Sequence, residues 1–266
     1  MAIGLLVCAH VVLLGTVLPL ATSGQWLWLG LSGIVGLGIG DFALFAAYVT
    51  IGPRRSVLIY SSAPIFAALS AYWILGETIS ALSIVGIAVT LTGIAVVLLE
   101  QEESSEEKSE EKLAAKNRKS WGVLFGVISA MGQGVGLALS KKGMYFGVSV
   151  AVNPVSVALI RMMLAAVFIW TCALFAGKLP DLHRAVKDSA GMRYTAAGAV
   201  VGPFLGMTLS MVAVAYIAAG IAQTLMSLMP VLIIPVVWII YREKTNWRGI
   251  LGAVVAIIGV AILCLA

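Results

Sequence analysis

VGLGIGDFALFAAYVTIGPRRSVLIYSSAPIFAALSAYWILGETISALSIVGIAVTLTGIAVVLL, residues 35–99, aligns without a gap on VGPFLGMTLSMVAVAYIAAGIAQTLMSLMPVLIIPVVWIIYREKTNWRGILGAVVAIIGVAILCL, residues 201–265. Fifteen of the 65 aligned pairs are identical, which is modest for two apolar stretches, so the weight falls on which residues coincide. Gly36 meets Gly202, Gly40 meets Gly206, Ser61 meets Ser227, Pro64 meets Pro230, Glu77 meets Glu243, Gly86 meets Gly252 and Gly93 meets Gly259. Glycine lets membrane helices approach closely, proline interrupts a helix, and a glutamate between apolar runs marks a turn at the membrane surface. The chain therefore contains an internal repeat.

Working outward, the rest of the chain has the same character. Apolar residues make up 61% of the 266 and charged residues 11%, with a mean hydropathy of +1.05. Soluble domains carry about 25% charged residues, so this composition belongs in lipid. A bilayer core of about 30 Å takes about 20 apolar residues in helix. Runs of that kind lie near 2–21, 26–50, 54–75, 80–99, 121–140, 154–176, 194–216, 218–240 and 247–265. The fold class is all-α integral membrane with about nine transmembrane helices. A charged linker, 100–120, separates a first repeat of four helices, 1–99, from a second of five, 121–266. The second repeat opens with the helix Trp121–Ser140, and the first has no counterpart to it. A repeat unit of five helices is odd, so consecutive copies enter the membrane in opposite senses, the inverted arrangement common among secondary transporters.

Gly40-Asp41-Phe42, Ile51-Gly52-Pro53-Arg54, Ala63-Pro64-Ile65-Phe66, Leu75-Gly76-Glu77 and Gly86…Gly93, with Pro230, Glu243, Gly252 and Gly259 in the second half, resemble the repeat pattern of the EamA-like family of the drug/metabolite transporter superfamily. The resemblance spans nearly the whole chain. It implies ten helices in two inverted five-helix repeats, a central cavity, and secondary transport of small metabolites, often outward. Against that pattern the first of the ten helices is missing, read as a fragment or a displaced start site ahead of a true nine-helix carrier.

The formal charge of +5 does not point to nucleic acid, because the basic residues sit in short loops between apolar runs. Such loops set orientation. Arg54, Arg55, the five basic residues of the linker, Lys178, Arg184, Lys187, Arg193, Arg242, Lys244 and Arg248 fall on one side, and Lys141 and Lys142 on the other. The charge count places the linker in the cytoplasm. The resemblance implies both ends of a ten-helix chain in the cytoplasm and the linker outside, and the charge count is preferred. The expected location is a multi-pass position in a bacterial inner membrane, with the lipid bilayer and a small-molecule substrate (amino acid, metabolite or drug-like) as partners and a homodimer as an option. Cys8, Cys172 and Cys264 lie in apolar runs without paired spacing and read as small apolar side chains. The sequence calls for no metal and no cofactor.

Ionisable groups inside a span cost about 2.5–3.5 kcal/mol on insertion scales and usually face a cavity or partner. Asp41 leads the candidates: it sits beyond mid-span and its repeat mate is Met207. That asymmetry suggests a task for one half only, binding a cationic group or a proton, against a structural carboxylate bonded to a neighbouring helix. Arg161 lies about 10 Å into its span at 1.5 Å per residue, placed to pair with a carboxylate or to snorkel to the headgroups. Gln133, between Gly132 and Gly134, carries donors and acceptors where backbones can approach. Gln223, Thr224 and Ser227 share a helix face, and Tyr60, Ser61 and Ser62 occupy the related stretch of the first repeat, each set just before Pro64 or Pro230. Paired interrupted segments point to a transporter site; own-helix hydrogen bonds are the plainer reading of the hydroxyls. The candidate substrate contacts are therefore Asp41, Tyr60, Ser61, Gln133, Arg161, Gln223 and Ser227. His10 reads as an interhelical hydrogen-bonding residue, Glu77 and Glu243 as caps on the positive end of the helix that follows each, and the glycines of Gly30–Gly40 as packing positions.

An intramembrane enzyme needs paired carboxylates, a Ser/His pair or a metal cluster at mid-membrane, and no such set assembles. A truncated or non-transporting assembly partner is the other alternative. No phosphate-binding loop is present, which leaves an ion gradient or the substrate's own gradient as the energy source.

Overall fold

The computed structural model describes residues 1–103, 114–148, 151–177, 188–229, 231–232 and 247–265. Every regular element among them is helical: α1 Ala2–Leu14, α2 Ser23–Gly33, α3 Asp41–Ile51, α4 Pro53–Tyr60, α5 Ala63–Leu75, α6 Ala81–Glu103, α7 Ala114–Tyr145, α8 Pro154–Phe175, α9 Ser189–Ala199, α10 Met207–Tyr216, α11 Ala219–Met226 and α12 Trp247–Leu265. Among the described residues, five stretches are long and apolar enough to cross a membrane, Ser23–Ile51, Arg55–Leu75, Ser120–Tyr145, Pro154–Phe175 and Gly191–Tyr216, and the shorter apolar helices Ala2–Leu14, Ala81–Val97 and Trp247–Leu263 accompany them. The expected eighth run begins with α11. Pro230, Glu243 and the middle of the charged linker lie outside the described residues.

The chain's own chemistry sets the boundaries. α1 stops at Leu14, short of the expected residue 21, because Gly15 turns left-handed (φ 71) and returns its N–H to the Val11 carbonyl. A capping box opens α2: the Thr22 hydroxyl accepts from the Gln25 N–H at 3.3 Å, and Gln25 Oε1 accepts from the Thr22 N–H at 2.8 Å. Each bond satisfies a first-turn N–H that the helix itself cannot. Asn153 caps α8 by accepting from Val155 N–H at 2.9 Å, with Pro154 next, where its missing N–H costs nothing. α6 and α7 carry helix further into the charged stretch than the expected limits of 100 and 120, reaching Glu103 and starting at Ala114.

Two spans contain an unexpected feature at matching repeat positions. Ile34–Gly40 joins α2 to α3 as π-helix, and Val200–Gly206 joins α9 to α10 in the same form. A π turn inserts an extra residue into the hydrogen-bond ladder and is frequent at functional sites. In the first repeat, Asp41 follows it directly.

By contact the chain divides into two compact units, Met1–Gly38 with Gly136–Ile217, and Ile39–Val135 with Ala218–Ala266. Each unit draws on both repeats. In the first, α2 lies against α8 so closely that a Cβ on Gly33 would collide with the Arg161 backbone. His10, buried on α1, holds Ser156 of α8 through Nε2 at 2.9 Å and the Thr16 carbonyl through Nδ1 at 2.6 Å, the interhelical role expected for it. Tyr145 and Lys141 of α7 donate to the carbonyls of Ala215 and Ile217, both at 2.7 Å. The Lys142 ammonium sits 4.2 Å from the Trp28 ring centroid, a cation–π contact.

In the second unit, the repeat-related helices α6 and α12 pack on each other. Gly86 faces Gly259 and Leu263, whereas Gly93 faces Gly252 and Ala256. Contacts that run down one helix as they run up the other make the pair antiparallel, as inversion of the repeat demands. Ile94, Val97, Val231 and Ala256 form the core beside this seam. α11 lies against α5, with Gly220 beside Ala68 and Ile79. Glu77 caps the N-terminus of α11, not of the next helix α6 as expected: its Oε2 accepts from Ala219 N–H at 3.1 Å, because α11 is packed beside α5 and its turn.

Candidate functional site

Asp41 opens α3, half-buried, and Gln133 of α7 donates from Nε2 to its Oδ1 at 2.5 Å. A hydrogen bond to an ionised acceptor is short and about twice as strong as a neutral one. Gln133 reaches that position because its glycine neighbour brings α7 onto α5: a Cβ on Gly134 would stand 2.5 Å from the Ala67 nitrogen. Sequence spacing placed these residues on separate spans, and the fold joins them across 92 positions.

Tyr60 ends α4. Its phenol lies near the side chain of Gln223 on α11 and within the electrostatic reach of Asp41. Tyr48 of α3 feels the same carboxylate; the sequence offered no signal for it beyond its place two turns along the same helix. The Tyr60 position follows from the expected interruption. α4 ends at Tyr60, Ser61 and Ser62 form a turn, and α5 restarts at Ala63 with Pro64 in its first turn. α11 likewise ends at Met226, with Ser227 and Leu228 in a turn. Four expected contacts, Asp41, Tyr60, Gln133 and Gln223, thus gather in the second unit from α3, α4, α7 and α11.

The other three stand differently. Ser61 Oγ donates to Val57 O at 2.8 Å and Ser227 Oγ to Gln223 O at 2.9 Å, so each hydroxyl proton serves the serine's own helix. Both are buried, and their oxygens remain acceptors. Arg161 belongs to the first unit. It is 2% exposed, with Nη1 3.3 Å from Met211 Sδ, so its head is buried and does not snorkel.

The geometry defines a polytopic α-helical membrane protein with an inverted repeat and a polar cluster within its spans. Residues 1–99 and 120–265 match the EamA-like transporter family. The chain belongs to that family, whose members are membrane transporters of the drug/metabolite superfamily. One solved crystal structure aligns over 99% of this chain and 84% of its own, with a TM-score of 0.73 and 17% identity, and shares the fold. A search of curated proteins returns no match.

Proposed function

We propose that the protein is a secondary transporter that exports small metabolites by alternating access, and that substrate meets the chain at Asp41, Tyr60, Gln133 and Gln223. One observation carries the reading: a carboxylate within a membrane span, held by Gln133, with a tyrosine–glutamine pair in its field. Burying such a group is expensive, and a site that uses it offsets the cost. A carboxylate with carboxamide and phenol neighbours binds a cationic group, or takes a proton in exchange for one. Ser61 and Ser227 supply acceptor oxygens beside the two helix breaks, and Arg161 would answer an anionic group in its own unit. The π-helical segment before Asp41 supports movement there, since an extra residue in the ladder can shift along the helix.

The same reading places the linker 100–120 on the cytoplasmic side of a bacterial inner membrane and allows a homodimer. The charge bias supports the first point, and both basic residues on the opposite side make defined contacts, Lys141 with Ile217 and Lys142 with Trp28. The two stretches matched by the family support domains at 1–99 and 121–266.

The test is efflux from liposomes that hold the 266-residue chain and a mixed pool of amino acids, cationic drugs and nucleosides, followed by mass spectrometry with and without a pH gradient. Selective loss of one class, abolished in Asp41→Asn, is expected. Equal loss from wild type and Asp41→Asn would remove the assigned site. No loss above empty liposomes would favour the non-transporting alternative. Chemical crosslinking in the same liposomes reads the homodimer.

A further inference from the structure

The first unit carries a pocket of about 700 Å³ where α1 ends and α2 and α8 begin. Its polar lining is His10, Thr16, Thr22, Gln25, Asn153 and Ser156, and no lining residue is Asp, Glu, Lys or Arg. Two of these residues are the helix caps described above. Gln25 spends Oε1 on the Thr22 N–H, and Asn153 spends Oδ1 on the Val155 N–H. The –NH₂ end of each amide therefore remains a donor, and it has no partner among the described residues. Gln25 holds that donor in the interior, at 2% exposure, where leaving it unanswered is costly. The first turn of α8 adds another. Pro154 has no N–H, while Val155 and Val157 bond the Asn153 side chain and carbonyl, which leaves the N–H of Ser156. The Ser156 hydroxyl is already engaged: the Thr16 carbonyl can only accept, so His10 Nδ1 donates to it, and Nε2 of the neutral ring accepts from Ser156 Oγ.

We propose that this pocket binds a singly charged oxyanion with an apolar body, a carboxylate or a phosphodiester. A helix N-terminus carries about half a positive charge. The first turns of both α2 and α8 line the pocket, so together they answer about one negative charge. A doubly charged phosphate would be left half-compensated, because no lysine or arginine stands in the lining. The hydrogen bonds select the same ligand: the –NH₂ groups of Gln25 and Asn153 and the Ser156 N–H all donate, and an oxyanion only accepts. Leu14, Leu20, Val148 and Val152 supply an apolar wall for the rest of the molecule. The site does not rest on the role given to Asp41, whose carboxylate selects the opposite charge.

Titration of butyrate onto the full chain in neutral detergent micelles, followed by saturation-transfer NMR, tests the soluble source of such an anion. Native mass spectrometry with equal phosphatidylglycerol and phosphatidylcholine tests the lipid source. The expected result is a saturable butyrate signal above that of empty micelles, with no matching signal from butan-1-ol and no displacement by equal inorganic phosphate. Gln25→Glu and Asn153→Asp both keep their caps, since a carboxylate oxygen accepts the same backbone N–H. Each exchanges the –NH₂ donor for a negative charge, and each should weaken butyrate at least about tenfold, the worth of one hydrogen bond to a charged group. The unfolding temperature without ligand should not fall in either. Should Gln25→Glu fail to fold, Asn153→Asp carries the test, because Asn153 is exposed. A phosphatidylglycerol adduct that dominates and is lost in both variants, in place of butyrate, would assign the same site to a lipid phosphodiester. Butan-1-ol bound as tightly as butyrate, phosphate bound more tightly, wild-type affinity in both variants, or saturable binding of neither anion would each overturn the assignment.

Discussion

Replacing Gly93 by alanine adds a single methyl group to α6 and should loosen the seam that joins the two repeats. The new Cβ would stand 2.6 Å from the Gly252 carbonyl oxygen and 2.7 Å from Ala256 Cα, where ordinary contact begins at 3.4 Å. Both neighbours are backbone, so no side chain can swing aside and α12 must retreat along its length. Overpacking of this kind costs about 1–3 kcal/mol. Alanine's better helix propensity returns up to about 1 kcal/mol; with that offset in full the net loss is about 0–2 kcal/mol, and the deficit relative to an unobstructed Gly→Ala change is about 1–3 kcal/mol. Gly198→Ala is the matched control, since a Cβ there meets nothing within 4 Å; it should gain up to about 1 kcal/mol. Reversible unfolding of both variants in mixed micelles, followed by circular dichroism, measures the contrast. A Gly93→Ala protein as stable as Gly198→Ala would refute the backbone-on-backbone seam, and with it the argument that repeat-matched glycines exist to let α6 and α12 touch.

Other consequences are open to similar measurement. Asp41→Asn should fold normally yet lower efflux at least about tenfold, the worth of one charge-assisted hydrogen bond, and Gln133→Leu should lower it less because the carboxylate remains. Initial rates from liposomes with matched protein content decide this, and an active Asp41→Asn would end the role given to the carboxylate. His10→Ala strips Ser156 and the Thr16 carbonyl of their partner in a buried setting; destabilisation of about 1–3 kcal/mol is expected, read by the same unfolding assay, and a neutral result would mean water replaces the ring. Thr22→Ala removes the hydroxyl half of the α2 capping box and should cost about 1 kcal/mol, with loss of helical signal confined to a fraction of a turn.

The amino-acid sequence determined the solvent, the number of spans, the repeat and the places where helices break. Those properties are local or periodic. Apolar runs of membrane length need no partner to declare themselves, and Pro64 is excluded from a helix interior and so marks a break ahead of a new first turn. The link between Glu77 and a helix N-terminus was legible for the same reason, although its target, Ala219, was not. The tertiary structure alone decided which polar residues meet. Asp41 and Gln133 stand 92 positions apart, and their bond depends on which face α7 turns to α3. Ser61 and Ser227 looked equivalent to Tyr60 and Gln223 as ligands, yet their hydroxyl protons go to their own helices. Glycines of identical chemistry separated in the same way: Gly93 is pressed against α12 and Gly198 faces open space. The π-helical segments were equally hidden, because an added residue in the ladder is set by how a helix must bend against its neighbours. A sequence lists donors, acceptors and small residues at their spacings; only packing assigns each one its partner.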